Sequence, residues 1–194
     1  MIPRKFLYES DKGKLYDHFL VDIIDHDRYL RFGYNPTNEN VTKYLDSAFE
    51  DFGKTNMWFI VEEGCNIVAS CHVAFNRKSK TAELGLTVSP DYRNQKIGQE
   101  LFIRGITWAR MKGAETIFMH CLSENMPVQH IARKGGMTVV TIDPSEKESF
   151  ITVKKNQVVA GFEDVIFEQM AVYDMIVRNQ KWFFEKFMKR ILGR

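Results

Sequence analysis

The sequence predicts an α/β fold, a mixed sheet of short strands alternating with amphipathic helices, and three observations predict it. Leu84, Leu86 and Val88 alternate with Glu83, Gly85 and Thr87, the pattern of a strand with one buried face. Ile97, Leu101, Phe102, Ile106, Trp108, Ala109 and Met111 then recur at helical spacing. Thr116–Leu122 is a nearly continuous apolar run, suited to a buried strand beside the first. Strand, helix and strand in that order imply a right-handed crossover within one sheet.

Earlier elements follow the same signals. Lys5–Glu9 reads as a short first strand, and Leu15, Phe19, Leu20, Ile23 and Ile24 give a helical stripe over Lys14–Ile24. Asp25–Tyr34 reads as a connection. Asn35-Pro36-Thr37-Asn38 breaks the chain, and Thr37 or Asn38 caps a second helix through Asp51, buried along Val41, Tyr44, Leu45 and Ala48. Met57–Glu63 and Asn66–Phe75 are strands joined by a hairpin at Glu63-Gly64-Cys65-Asn66. After Leu122, Ser123 or Asn125 caps a helix that Gly135-Gly136 ends, and Thr138–Ile142 with Ser149–Lys154 form a closing antiparallel pair.

From Val158 the pattern changes. Phe162, Ile166, Met170, Tyr173, Val177, Phe184, Phe187 and Ile191 make a long helical stripe, so residues 1–155 are expected to form one domain and 156–194 a C-terminal amphipathic extension. Its expected roles are packing on its own domain or a homodimer partner, or weak contact with a membrane surface through the basic and aromatic run at Lys181–Arg190.

Composition sets bounds on function. The 194 residues are 44% hydrophobic and 27% charged, ordinary for a soluble globular chain, and the net charge is +2. Six basic residues against one acidic one from Arg178 to Arg194 give +5 there and leave −3 elsewhere, so no basic stripe in the main domain suggests nucleic acid. Cys65, Cys71 and Cys121 form no CxxC pair and read as reduced thiols; with no apolar segment of signal or membrane length, the expected compartment is the cytoplasm. Asp25-His26-Asp27 points its side chains in different directions, and no metal site is expected.

Chemistry concentrates in the loop Tyr92–Gly98 between the Ala82 strand and the Ile97 helix. A helix start offers unpaired N–H groups and the positive end of the dipole, and Arg93 and Lys96 add charge, which together make an anion site. Neither GxxxxGK[ST] nor GxGxxG is present.

The loop Arg93-Asn94-Gln95-Lys96-Ile97-Gly98 resembles the pyrophosphate loop Arg/Gln-x-x-Gly-x-Gly/Ala of the GNAT superfamily of acyl-CoA-dependent N-acyltransferases, with Lys96 in place of the first glycine. The later stretch Asn125 to Met137 is similar to the family's Asn-x-x-Ala-x-x-Leu-Tyr-x-Lys-x-Gly-Phe, matching at Asn125, Lys134 and Gly136, and the ordered motifs cover about Met57 to Lys154. The resemblance implies a GNAT fold and acetyl-CoA as co-substrate. It implies an ordinary helical or extended backbone at Lys96. It implies pantetheine held along Leu86, Thr87 and Val88, pyrophosphate held by Arg93, Asn94, Gln95, Lys96, Ile97, Gly98 and Gln99, and Asn125 near the thioester. A backbone amide near Val88 would meet the thioester oxyanion.

By the same resemblance Glu83 is the general base for a primary amine acceptor, small molecule or protein, while Arg28, Tyr29, Arg31 and Tyr34 wall the acceptor pocket. The family's thiol-protonating tyrosine position is Ala132 here, leaving that role to water or Tyr173. The expected activity is acetyl transfer to an amine by direct attack. A non-catalytic acyl-CoA-binding module and a mononucleotide-binding α/β domain are the competing readings.

Overall fold

A computed structural model describes residues 4–5 and 8–152 and, in the C-terminal stretch, residues 173, 176–177, 180–181, 183–184 and 186–191. Seven strands form one mixed sheet in the order β1-β2-β3-β4-β5-β7-β6. They are β1 (Arg4–Lys5), β2 (Asn56–Glu63), β3 (Asn66–Asn76), β4 (Thr81–Val88), β5 (Thr116–Leu122), β6 (Thr138–Thr141) and β7 (Glu146–Thr152). β1 to β4 run antiparallel, β5 joins β4 in parallel, and β7 pairs antiparallel with β5 on one side and β6 on the other.

The α/β expectation holds, strand for strand, with differences of a few residues. β1 is shorter than the sequence suggests, because helix α1 (Tyr8–Asp17) begins where the strand was expected to continue. That helix passes into a π turn at His18–Asp22, in which His18 and Phe19 are buried. The larger departure is α2 (Asp25–Phe32), a helix where the sequence reads a connection. None of its residues is fully buried, so it has no apolar stripe to reveal it; Asp25 and Asp27 in its first turn, Arg31 in its last and Gly33 at φ 78° as C-cap suit a helix by charge and capping instead.

α3 (Asn38–Phe49) starts at a capping box in which Thr37 and Asn40 satisfy each other's backbone amides, as the sequence predicts for Thr37. α4 (Ile97–Met111) makes the crossover between β4 and β5, and Asn125 caps α5 (Met126–Lys134) by accepting from the Val128 amide.

The sheet separates two cores. One holds Met57, Phe59, Cys71, Val73, Leu84, Leu86, Leu101, Phe102, Ile106 and Ala132 under α4 and α5. The other, under α1 and α3, holds Leu15, Phe19, Val41, Leu45, Trp58 and Ile60. Period-two alternation in β4 sends Ala82, Leu84 and Leu86 to the first and Glu83, Gly85 and Thr87 to the second side.

Beyond residue 152, the described residues Tyr173, Ile176, Val177, Phe183, Phe184, Phe187 and Ile191 are exposed. Phe162, Ile166 and Met170 of the expected stripe, and the expected end of the last strand at Lys154, lie outside the described residues. No described helix is long and apolar enough to cross a membrane.

Candidate active site

The site starts from a defect in the sheet. β4 and β5 pair only through Thr81–Thr116, Ala82–Ile117 and Glu83–Phe118, although β4 continues to Val88 and β5 to Leu122. From Leu84 onward the edge of β4 facing β5 has no described strand beside it, so its backbone groups are open to a ligand that can mimic one. Leu86, Thr87 and Val88 all lie on this open stretch. The Thr87 side chain is occupied elsewhere: its Oγ1 lies 2.9 Å from His18 Nε2 and 2.7 Å from Ser70 Oγ, all buried.

At the far end of β4 the chain turns through Pro90–Tyr92 into the start of α4. The first helical bond runs from the Glu100 amide to the Lys96 carbonyl at 3.0 Å, so the amides of Ile97, Gly98 and Gln99 precede it and point out of the helix start. The side chain of the N-cap residue, Lys96, does not cap them. Asn94 has φ 60° and Lys96 φ 64°, and alternating left-handed residues curl a loop into a concave nest of N–H groups. Lys96 therefore departs from the ordinary backbone expected of it. It sits in the left-handed conformation that suits glycine, at a cost of about 1 kcal/mol, and adds its charge to the loop.

Gly98 is small for a packing reason: a Cβ there would meet Ile131 Cδ1 at 2.9 Å and Val88 Cγ2 at 3.5 Å. Arg93 is drawn sideways, with Nη2 2.5 Å from Asp27 Oδ1 on α2 and Nε donating to the Val88 carbonyl at 3.3 Å. Gln95 Nε2 donates to the Asp91 carbonyl at 3.3 Å. Across the opening, Asn125 Nδ2 donates to the Leu30 carbonyl of α2 at a long 3.4 Å. Tyr29 of α2 bonds to Glu124, whose charge is the main reason the Tyr29 hydroxyl is pushed above its ordinary pKa. α2 is thus tied to both margins of the β4–β5 opening.

Of the four residues expected at the acceptor pocket, Arg31 and Tyr29 reach the opening. Arg28 is taken up by the fold, with Nη1 donating to Asn38 Oδ1 at 2.9 Å and Nη2 to the Leu20 carbonyl at 2.5 Å. Tyr34 is exposed and meets Phe32 edge-on. The Arg31 guanidinium lies against Gly85, where a Cβ would be 1.9 Å from its Nη2.

From Arg31 a polar chain crosses the sheet face. Nη2 donates to Tyr44 Oη at 2.7 Å, Tyr44 Oη meets His72 Nδ1 at 3.0 Å, and His72 Nε2 meets Asn56 Oδ1 at 3.2 Å. Trp58 stacks on the His72 ring at 4.5 Å. Burial pulls the His72 pKa down to about 3 and that of His18 to about 4, so both are neutral at pH 7; burial also raises the Tyr44 hydroxyl and pushes the Cys71 thiol up to about 12. Sequence reading missed this chain. Tyr44 lay in a helical stripe and His72 in an apolar strand run, and only their charge-bearing chemistry in otherwise apolar company marks them.

Glu83 is exposed, on the same face, at the last paired residue before the opening. It lines an open cleft of about 600 Å³ with Thr55, Asn56, Arg77, Lys78 and Phe118. Ala132, at the position of the missing tyrosine, is fully buried in the core, and His130 is exposed. Among the described residues no group of three His, Cys, Asp or Glu could hold a metal.

Residues 21–137 match the model of the acetyltransferase (GNAT) family. No curated protein matches the sequence. Among solved structures, the fold is similar to the GNAT domain of PAT from S. lividans, at TM-score 0.68 and 14% identity over 78% of this chain and 89% of that one. It is also similar to a ribosomal-protein-alanine N-acetyltransferase from Brucella melitensis, at 0.59 and 14% over 79% and 100%. A spermidine N-acetyltransferase variant from Vibrio cholerae aligns at 0.56 and 14% over 78% and 95%. A family match across more than half the chain, on a sheet that opens beside a helix start, assigns the protein: it belongs to the GNAT acetyltransferase family.

Proposed function

We propose that the protein transfers an acetyl group from acetyl-CoA to a primary amine by direct attack. The observation that carries this is the opening of β4 from β5 immediately after Glu83, with the uncapped start of α4 at its far end. A pantetheine arm has the reach and the amide groups to run along Leu86 to Val88 as a substitute strand, and its pyrophosphate then meets the amides of Ile97 to Gln99 under the charge of Lys96. Arg93 serves this loop by fastening it to Asp27.

A free alkylamine has a pKa of roughly 10.4 and arrives mostly protonated, so attack needs a base. Glu83, a member of the last β4–β5 pair, takes that proton, directly or through water. The amine nitrogen forms a bond to the thioester carbon, the C–S bond breaks, and the CoA thiolate leaves, taking through solvent the second proton that the nitrogen loses as it becomes an amide. Backbone amides on the open edge of β4 receive the oxyanion. Arg28 and Tyr34 are held away from this chemistry by their own contacts.

Release of CoA thiol with acetyl-CoA and a panel of amines tests the proposal. Amine-dependent release that fails in Glu83→Gln supports it. Acetyl-CoA binding without release for any amine favours instead the non-catalytic acyl-CoA module, a reading that the buried Ala132 motivates because it stands where the family's thiol-protonating tyrosine would be.

A further inference from the structure

The charge around the acceptor side is unbalanced. Arg31 donates to the neutral Tyr44 hydroxyl, its guanidinium lies over the Phe32 and Tyr44 rings at 5.4 Å, and its Nε is buried without a hydrogen-bond partner. No described carboxylate forms an ion pair with it. Its charge acts on Tyr44, His72 and Cys71, which burial keeps neutral, and the Glu83 carboxylate acts on the same Tyr44 hydroxyl without forming an ion pair with Arg31. A half-buried cation with an unused, desolvated donor is costly unless an anion completes it.

The adjoining cleft points the same way. Arg77 and Lys78 line it, and Glu83 is the only acidic residue among the described residues lining it. A polycationic acceptor would meet two like charges at the entrance. Along β4, Glu83 and Gly85 are two residues apart on one face, about 7 Å. An α-amino acid whose amine is directed toward Glu83 has its carboxylate on the side of the guanidinium above Gly85.

Resting on the acetyl-transfer reading above, we propose that the acceptor carries a carboxylate beside its amine, as an amino acid does, and that Arg31 binds this carboxylate. Arg31 presents a planar fork suited to a carboxylate, Gly85 leaves the space for it to lie on the strand, and Tyr44 fixes its orientation.

Two measurements test this. In the first, thiol release from acetyl-CoA is compared for the pooled L-amino acids and for their pooled α-amides. The acids are expected to be the better substrates, and Arg31→Gln is expected to lower the ratio of kcat/KM for the acids to that for the amides about 10–100-fold, chiefly through the KM of the acids. Gly85→Ala, which displaces the guanidinium, is expected to reproduce the loss with the fold intact. Equal use of acids and amides, or an Arg31→Gln effect on kcat that is the same for both, would overturn the proposal and leave acetyl transfer standing. The second measurement needs no turnover: the Arg31 Nε–H resonance is followed by NMR in CoA-saturated protein. Titration with N-acetyl-L-alanine is expected to shift it, and N-acetyl-L-alaninamide to leave it in place. A resonance that ignores both overturns the anion site even if no amine proves to be a substrate, whereas failure of every amine in the first assay counts against acetyl transfer itself.

Discussion

The two faces of this sheet are built from the same strands and behave as different materials. Under α4 the packing is dry and close: a Cβ at Gly105 would meet Leu84 Cδ2 at 2.9 Å, Cys71 Sγ at 3.0 Å and Val73 Cγ2 at 3.2 Å. On the other face the same strands present Ser70, His72, Gly85 and Thr87 to His18, Tyr44 and Arg31. Alternation within β4 alone sends Leu84 one way and Gly85 the other. Apolar burial on the first face stabilises the domain, and that stability lets the second face keep buried polar groups that would not fold by themselves.

If the polar face is the weaker one, acid should find it. His18 and His72 have folded pKa values lowered to about 4 and about 3, so between these values and 6.5 the unfolded chain binds protons that the native one refuses. Stability is therefore complete above about pH 6.5 and falls as pH drops, each histidine contributing up to about 1.4 kcal/mol per pH unit. Together the expected loss from pH 7 to pH 5 is on the order of 3 kcal/mol, read by urea denaturation at each pH. A His72→Gln variant whose pH slope matched the parent's would place the acid sensitivity elsewhere.

Next in size is the chemical role of the polar face. Glu83→Gln should lower turnover about 100-fold or more and leave the Kd for acetyl-CoA within about twofold of the parent, as judged by calorimetry beside thiol release. Turnover near that of the parent would remove Glu83 as the base.

Inserting a side chain into the dry face should act on stability alone. Gly105→Val is expected to cost about 1–3 kcal/mol through overpacking against Leu84, Cys71 and Val73. Gly85→Ala, facing only the movable end of Arg31, should change the denaturation midpoint little. Equal losses in the two variants would erase the distinction between the faces.

The smallest expected change lies at the edge that both faces share. Lys96→Gly should stabilise the protein by about 1 kcal/mol by relieving the left-handed lysine, while weakening acetyl-CoA binding through the lost charge. A stability decrease would mean that the lysine is not strained.

Much of this was readable from the residues. β4, α4 and β5 follow from Leu84 and Leu86, the stripe from Ile97 to Met111 and the apolar run at Thr116, and the caps at Thr37 and Asn125 follow from their side-chain chemistry. What escaped is held by contacts between distant residues. α2 has no buried stripe and is fixed through Asp27 to Arg93 and Arg31 to Tyr44, partners 66 and 13 positions away along the chain. The Tyr44–His72 link spans 28 residues, and nothing local announces it. Lys96 escaped for another reason: its backbone angle belongs to the loop and not to the residue, so a lysine there reads as ordinary until the turn is seen.

The short parallel pairing of β4 with β5 reaches further than the site it opens. Among the described strands, β1 to β4 are joined to β5 to β7 by three residue pairs only. Mechanically the sheet is two plates on a narrow seam, and a thioester cofactor lying in the gap would act as a splint between them. Loading the protein should then slow amide exchange in β5 and β7 more than in β2 and β3, so a bound thioester would also be, for the lifetime of each complex, one of the domain's structural parts.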